Sequence, residues 1–153
     1  MTEAEVISEV LGLAIQRERE AQQMYEDAAH AAVDIEARAL LHELTEQERL
    51  HELRLMTVDP EVFRELGRRG AKVPDANDYL VVGEMRSGMT YEEVLTLAMA
   101  REKASFRLYT DLAAATDDPA TAEMLRGLAQ EEARHKMVLE LAYDVRVAAA
   151  PRA

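Results

Sequence analysis

The chain contains no cysteine. That absence excludes a disulfide framework, a thiolate zinc site, an iron–sulfur cluster and any cysteine-based nucleophile or redox pair. Glycine and proline are scarce, at six and four residues, so little of the chain is made to turn, and abundant Ala, Leu, Glu and Arg favour helix. No run of about 18 apolar residues is present to span a bilayer, and the opening "MTEAEV" lacks the basic and apolar segments of an export leader. No membrane association is expected, and the cytoplasm is the expected location. Positive charge is in short supply: 18 basic against 30 acidic residues leave a net charge of −12, which repels phosphate backbones and excludes nucleic acid as an expected partner. The 153 residues suit one domain that buries its core without disulfides.

What is present is helical periodicity. Ile7, Leu11, Ala14, Ala21, Tyr25 and Ala28 alternate at spacings of four and three, with Glu18 on the one missing beat, and predict an amphipathic helix over about residues 3–32. Asp34 is a candidate N-cap for a second helix whose stripe is Ala37, Leu41, Leu44, Glu48, His51, Leu55 and Val58, ending before Pro60. Residues 60–89 hold most of the glycines and no sustained period, and predict a long crossover with one short helix. "TYEE" at 90–93 matches a capping box, with Thr90 capping and Glu93 reaching back. It opens a third helix ending near Thr116, with stripe Tyr91, Leu95, Ala98, Glu102, Ser105, Tyr109 and Leu112. Asp118 and Pro119 open a fourth, running to about Val147 and carrying Leu125, Leu128, Glu132, His135 and Leu139 on one line.

The halves repeat. A shift of 84 residues aligns 11–55 with 95–139 without a gap, and 15 of the 45 pairs are identical, including Glu18 with Glu102, Tyr25 with Tyr109, Asp34 with Asp118, Glu48 with Glu132 and His51 with His135. The prediction is an all-α, antiparallel four-helix bundle spanning 1–153, made of a hairpin over about 3–58, a crossover over about 59–89 and a second hairpin over about 90–147. Glu18 and Glu48 each lie roughly 15 residues, or about 22 Å, from the turn near Asp34, so they meet at one level. Glu48 and His51, three apart, share a helix face. The same holds for Glu102, Glu132 and His135 around Asp118. Four carboxylates and two imidazoles therefore converge in the core.

Buried carboxylates left unpaired are penalised by several kcal/mol. No lysine lies on these stripes, and Arg17 and Arg101 sit about 100° round their helices from Glu18 and Glu102. Two divalent metal ions would cancel the four negative charges, with His51 and His135 as neutral donors. A Glu from each of two helices and a Glu-x-x-His from each of the other two is the donor set of di-iron and di-manganese bundles, and its oxygen and nitrogen atoms suit iron or manganese, with zinc able to enter by affinity. A lone Glu-x-x-His is ordinarily a surface coincidence. Asp27 with His30 has the same form but lacks a partner in the second half, where Ala114 replaces the His; His30 and His42 are read as solvent-facing. Tyr25 and Tyr109 are core positions whose side chains lean toward the metal layer. Met24, Met56, Met99, Met124 and Met137 are read as fillers of core gaps.

At "LAIQREREAQQMY" with "LAMAREKASFRLY", and "LTEQERLH" with "LAQEEARH", the chain resembles the rubrerythrin family of ferritin-like proteins, notably short members without a rubredoxin domain. The resemblance implies a four-helix bundle with a long crossover. Glu18, Glu48, His51, Glu102, Glu132 and His135 would be iron ligands, Glu48 and Glu132 would bridge, and Tyr25 and Tyr109 would stand just outside the ligands. It further implies reduction of hydrogen peroxide or dioxygen in defence against oxidative stress. With no cysteine for a rubredoxin site, electrons would come from a separate donor. Where the family carries a further Glu in the third helix this chain has Ser105, and Ala21 is its counterpart. A ferroxidase that passes iron to a store and a non-redox bundle holding zinc are alternative readings. The crossover is long enough for two chains to exchange hairpins, and a homodimer or higher homo-oligomer is expected.

Overall fold

The computed structural model describes residues 3–32, 34–63, 74–79, 81, 83, 86 and 88–149. Among them are four long helices and no strand: α1 over Glu3–Ala31, α2 over Ile35–Leu55, α3 over Tyr91–Ala115 and α4 over Pro119–Ala149. The expected all-α bundle is observed. The caps follow local chemistry. Asp34 accepts the Glu36 N–H at 3.1 Å, Thr90 accepts the Glu93 N–H at 3.1 Å, and Asp118 accepts the Thr121 N–H at 3.0 Å, each satisfying a donor that the first helical turn leaves free. The return arm of the capping box differs from the expectation: the Glu93 carboxylate accepts from the Thr90 hydroxyl and from Arg86.

Each helix buries most of its predicted stripe, with Ala21, Val58 and Tyr91 only partly buried. The core forms two apolar clusters. One gathers Ile7, Leu11 and Ala14 of α1, Leu55 of α2, Leu108 and Leu112 of α3, and Leu125 and Leu128 of α4. The other gathers Met24 and Ala28 of α1, Leu41 and Leu44 of α2, Leu95 and Ala98 of α3, and Leu139 of α4. The first thus holds the start of α1 and α4 with the end of α2 and α3, and the second holds the reverse. Helices α1 and α2, α3 and α4, and α1 and α3 therefore run antiparallel, and the crossover must travel the length of the bundle to bring the chain from the end of α2 to the start of α3. Glu18, Glu48, His51, Glu102, Glu132 and His135, all buried, occupy the level between the two clusters.

Helix α2 stops at Leu55, and Val58 packs on the core from a turn closed by its N–H to the Leu55 carbonyl at 3.1 Å. Helix α4 runs two residues past the expected end. In place of one short helix, the described part of the crossover has two 3₁₀ turns, Pro60–Phe63 and Ala76–Tyr79; residues 64–73, 80, 82, 84, 85 and 87 of the expected crossover lie outside the described residues. Phe63 and Tyr79 are buried against the first cluster, and Tyr79 is tied to the bundle by its carbonyl to Arg17 at 2.6 Å and its hydroxyl to Asp111 at 2.6 Å. Met24 is buried and Met99 and Met124 are partly so, but Met56 and Met137 are exposed, which corrects their reading as core fillers. Met56 lies beyond the last helical residue of α2, and Met137 is two residues past His135, about 200° round the helix from the stripe. No helix among the described residues is long and apolar enough to cross a membrane.

Candidate metal centre

Six residues from four helices meet at mid-bundle. Glu18, Glu48, His51 and Glu132 present one ligand atom each, all within 4.8 Å of one another, and Glu48, Glu102, Glu132 and His135 do the same. Glu48 and Glu132 belong to both groups, so the centre has two ends joined by two shared carboxylates. The imidazole rings lie nearly parallel, with centroids 5.6 Å apart. His51 Nδ1 is 2.6 Å from Glu132 Oε1, 3.7 Å from Glu48 and 3.9 Å from Glu18. His135 Nδ1 is 2.8 Å from Glu48 Oε1, 3.6 Å from Glu102 and 3.7 Å from Glu132. The nearest carboxylate to each ring belongs to the other hairpin, so neither hairpin alone makes the centre.

These approaches are close but are not aligned as hydrogen bonds. Glu18 Oε2, Glu48 Oε1, His51 Nδ1, Glu102 Oε2, Glu132 Oε1 and His135 Nδ1 are buried atoms without a hydrogen-bond partner, one from each of the six residues. Such atoms ordinarily find a partner. Lone pairs that converge on a common space and avoid one another's donors are what a cation requires, and the oxygen and nitrogen donor set fits a hard or borderline divalent metal.

The outer atoms of Glu18, Glu102, His51 and His135 are engaged. Tyr25 donates its hydroxyl to Glu102 Oε1 at 2.7 Å, and Tyr109 donates its own to Glu18 Oε1. Each bond crosses between the hairpins, leaving the second oxygen of the carboxylate turned inward. Burial and the neighbouring Glu102 and Glu18 carboxylates push the Tyr25 and Tyr109 hydroxyls well above their ordinary range, so both stay protonated donors. His51 Nε2 meets Glu131 Oε2 at 2.5 Å, and His135 Nε2 meets Gln47 Oε1. Sequence reasoning missed Gln47 and Glu131. The available signal was their register: each immediately precedes a ligand glutamate, and the two are 84 residues apart, yet each serves the histidine of the opposite hairpin.

The charges are unstable without a cation. Burial raises Glu18 and Glu132 well above the usual carboxylate range, with repulsion from Glu48 and Glu102 respectively adding to it, and raises Glu102 for the same reasons. Burial also opposes ionisation of Glu48, but the close approach of Glu18, His135 and His51 holds it well below that range. Desolvation lowers His135, yet the Glu102 and Glu48 carboxylates lift it to about 10. Protons thus hold the place of a metal's charge, and metal and protons compete for the same atoms.

Between α1 and α3 a void of about 10 Å³ reaches the carboxylates, bordered by Ala21, Ser105, Arg17 and Arg101. The two arginines are turned elsewhere, Arg17 to the Tyr79 carbonyl and Arg101 to Glu20 at 3.4 Å. His30 and His42 are exposed, as expected, and take no part.

No curated protein and no solved structure matches the chain. The rubrerythrin family model matches residues 92–148, the hairpin that carries Glu102, Tyr109, Glu132 and His135. Over that hairpin the chain is similar to the rubrerythrin family.

Proposed function

We propose that this protein is a di-iron oxidoreductase that reduces hydrogen peroxide or dioxygen with electrons from a separate donor. The observation that carries the reading is the set of six inward-facing, partnerless donor atoms, divided into two groups that share Glu48 and Glu132. Glu18 and His51 would hold one iron ion and Glu102 and His135 the other, with Glu48 and Glu132 common to both. When bound, the pair would supply two electrons at one place, the number that converts hydrogen peroxide and two protons into two waters.

The protein's own contribution is position and exclusion. Tyr25 and Tyr109 fix the outer oxygens of Glu102 and Glu18, and Gln47 and Glu131 fix the ring planes of His135 and His51, so the donors are preorganised. The two apolar clusters close the bundle above and below. The void beside Ala21 and Ser105 has space for about one water-sized molecule, which favours a very small oxidant over an organic substrate.

Anaerobic loading with Fe(II) followed by hydrogen peroxide tests the reading. The expected result is ferric absorption in the near ultraviolet, appearing faster than for the same Fe(II) free in solution. Failure to retain iron, or oxidation no faster than the free ion, would exclude it.

A further inference from the structure

The groups facing the centre are the same at both ends: Glu18 matches Glu102, Glu48 matches Glu132, His51 matches His135, and Tyr109 on Glu18 matches Tyr25 on Glu102. The difference lies one layer out. His51 Nε2 is held at 2.5 Å by the Glu131 carboxylate, whereas His135 Nε2 is held by the Gln47 amide oxygen. Residues 47 and 131 are equivalent in the repeat, so one position is charged in one hairpin and neutral in the other. Arg54 orients Glu131 through contacts of 3.3 and 3.2 Å, and its own counterpart is Val138.

The two partners act differently on a ring. A carboxylate can only accept, so Glu131 requires the proton of neutral His51 on Nε2 and leaves Nδ1 bare toward the carboxylates. An amide accepts through its oxygen or donates through its nitrogen, so Gln47 tolerates either tautomer of His135. A carboxylate partner also raises the donor strength of the ring. Exposure adds to the contrast: the His51 side chain is 1% exposed and the His135 side chain 6%, the latter bordering a groove of about 380 Å³ between α2 and α4.

We infer that the centre holds its two ions unequally, with the ion at the Glu18–His51 end binding first and leaving last, and that Glu131 is the positioning residue that sets this order. The inference rests on the proposed metal centre but not on the reaction assigned to it.

Titration of metal-free protein with Co(II), followed by calorimetry and visible absorption, tests it. Two steps of unequal affinity are expected. Repulsion between two cations also separates steps, so the variants decide. Glu131→Gln is expected to weaken the tighter step about tenfold or more with little effect on the weaker one. Gln47→Glu is expected to tighten the weaker step and leave the tighter one in place. Helical content of both variants is checked by circular dichroism. An unchanged first step in Glu131→Gln, or two equal steps in the unaltered protein, would overturn the inference while the metal centre stands. Absence of any Co(II) binding would overturn the metal centre itself, and the inference with it.

Discussion

The two hairpins agree inside and diverge outside. Where they face each other, glutamates, histidines, tyrosines and leucines recur at the same register, because a charge-balanced centre needs matched donors from both sides at one height. On the outer faces the same register gives different solutions. In the first hairpin Glu52 ties α2 to α1 through Arg19 at 2.6 Å and Gln22 at 2.9 Å. In the second, the equivalent residues are Lys136, Lys103 and Phe106, and Lys136 pairs with Glu140 along its own helix. Helix α4 also exposes Met137, Val138, Leu141 and Val145. Exposed ion pairs contribute at most about 1 kcal/mol each, so the outer faces have many nearly equivalent solutions, whereas an unmatched buried carboxylate has almost none.

The sharpest way to break the inner agreement is to remove its members singly. Glu48→Ala or Glu132→Ala takes a donor from both ends and should reduce metal content from about two ions per chain toward zero. Glu18→Ala or Glu102→Ala takes a donor from one end and should leave about one. Elemental analysis of each variant loaded in parallel decides. Equal losses from shared and unshared positions would mean that the two ends are not the units of binding.

A second test separates the inner layer from the outer faces by pH. A carboxyl raised in the folded chain holds its proton more tightly there than when unfolded. Its stabilisation is complete below the ordinary value of 4.5 and is lost as pH climbs through the raised value, which applies to Glu18, Glu102 and Glu132. His135, lifted from 6.5 to about 10, acts in the same sense up to that pH. Glu48 opposes them, since its depressed value favours folding above 4.5. The outer carboxylates lowered by arginines, such as Glu46 beside Arg49 and Glu92 beside Arg146, lose their effect only on acidification and are exposed. Metal-free protein should therefore melt several degrees lower at about pH 9 than at about pH 5. Excess Mn(II) should reverse the trend, because deprotonation then favours the bound state. A metal-free melting temperature that rises across this range would show that the outer faces, not the shared interior, govern stability.

The inner agreement is also what made the bundle legible from sequence. A glutamate on a leucine stripe, repeated 84 residues later at equal distance from a capped turn, specifies helix, face and height together. Tyr25 and Tyr109 could be placed near the centre by the lean of helical side chains, but their crossed partners, Glu102 and Glu18, depend on how the hairpins dock, which no local period encodes. The same holds for Glu131 on His51. Hydrophobicity alone does not say which side of a helix a residue occupies, and the angular position of Met137 places it off the stripe; Met56 lies just past the end of α2, where the stripe no longer applies. The crossover carries no period at all, and a peroxide or an electron donor requires no fixed residue spacing, so the chemistry was less legible than the fold.

The smallest expected difference is at the turns. Asp34 and Asp118 are equivalent in the repeat, and each caps the second helix of its hairpin. Asp34 holds one donor, the Glu36 N–H at 3.1 Å. Asp118 holds two, the Thr121 N–H at 3.0 Å and the Thr121 hydroxyl at 2.5 Å, and is followed by Pro119, whose ring presets the first helical turn. Asp34→Ala and Asp118→Ala should each cost about 1 kcal/mol, or about 2–4 °C in a chain of this length. The loss should be larger for Asp118, where Thr121 is left with two unanswered donors. Both turns lie about 15 residues from the centre, so metal content should not change in either variant. If Asp34→Ala proves as costly as Asp118→Ala, the extra bond to Thr121 contributes nothing, and the two turns are as alike energetically as the centre they support.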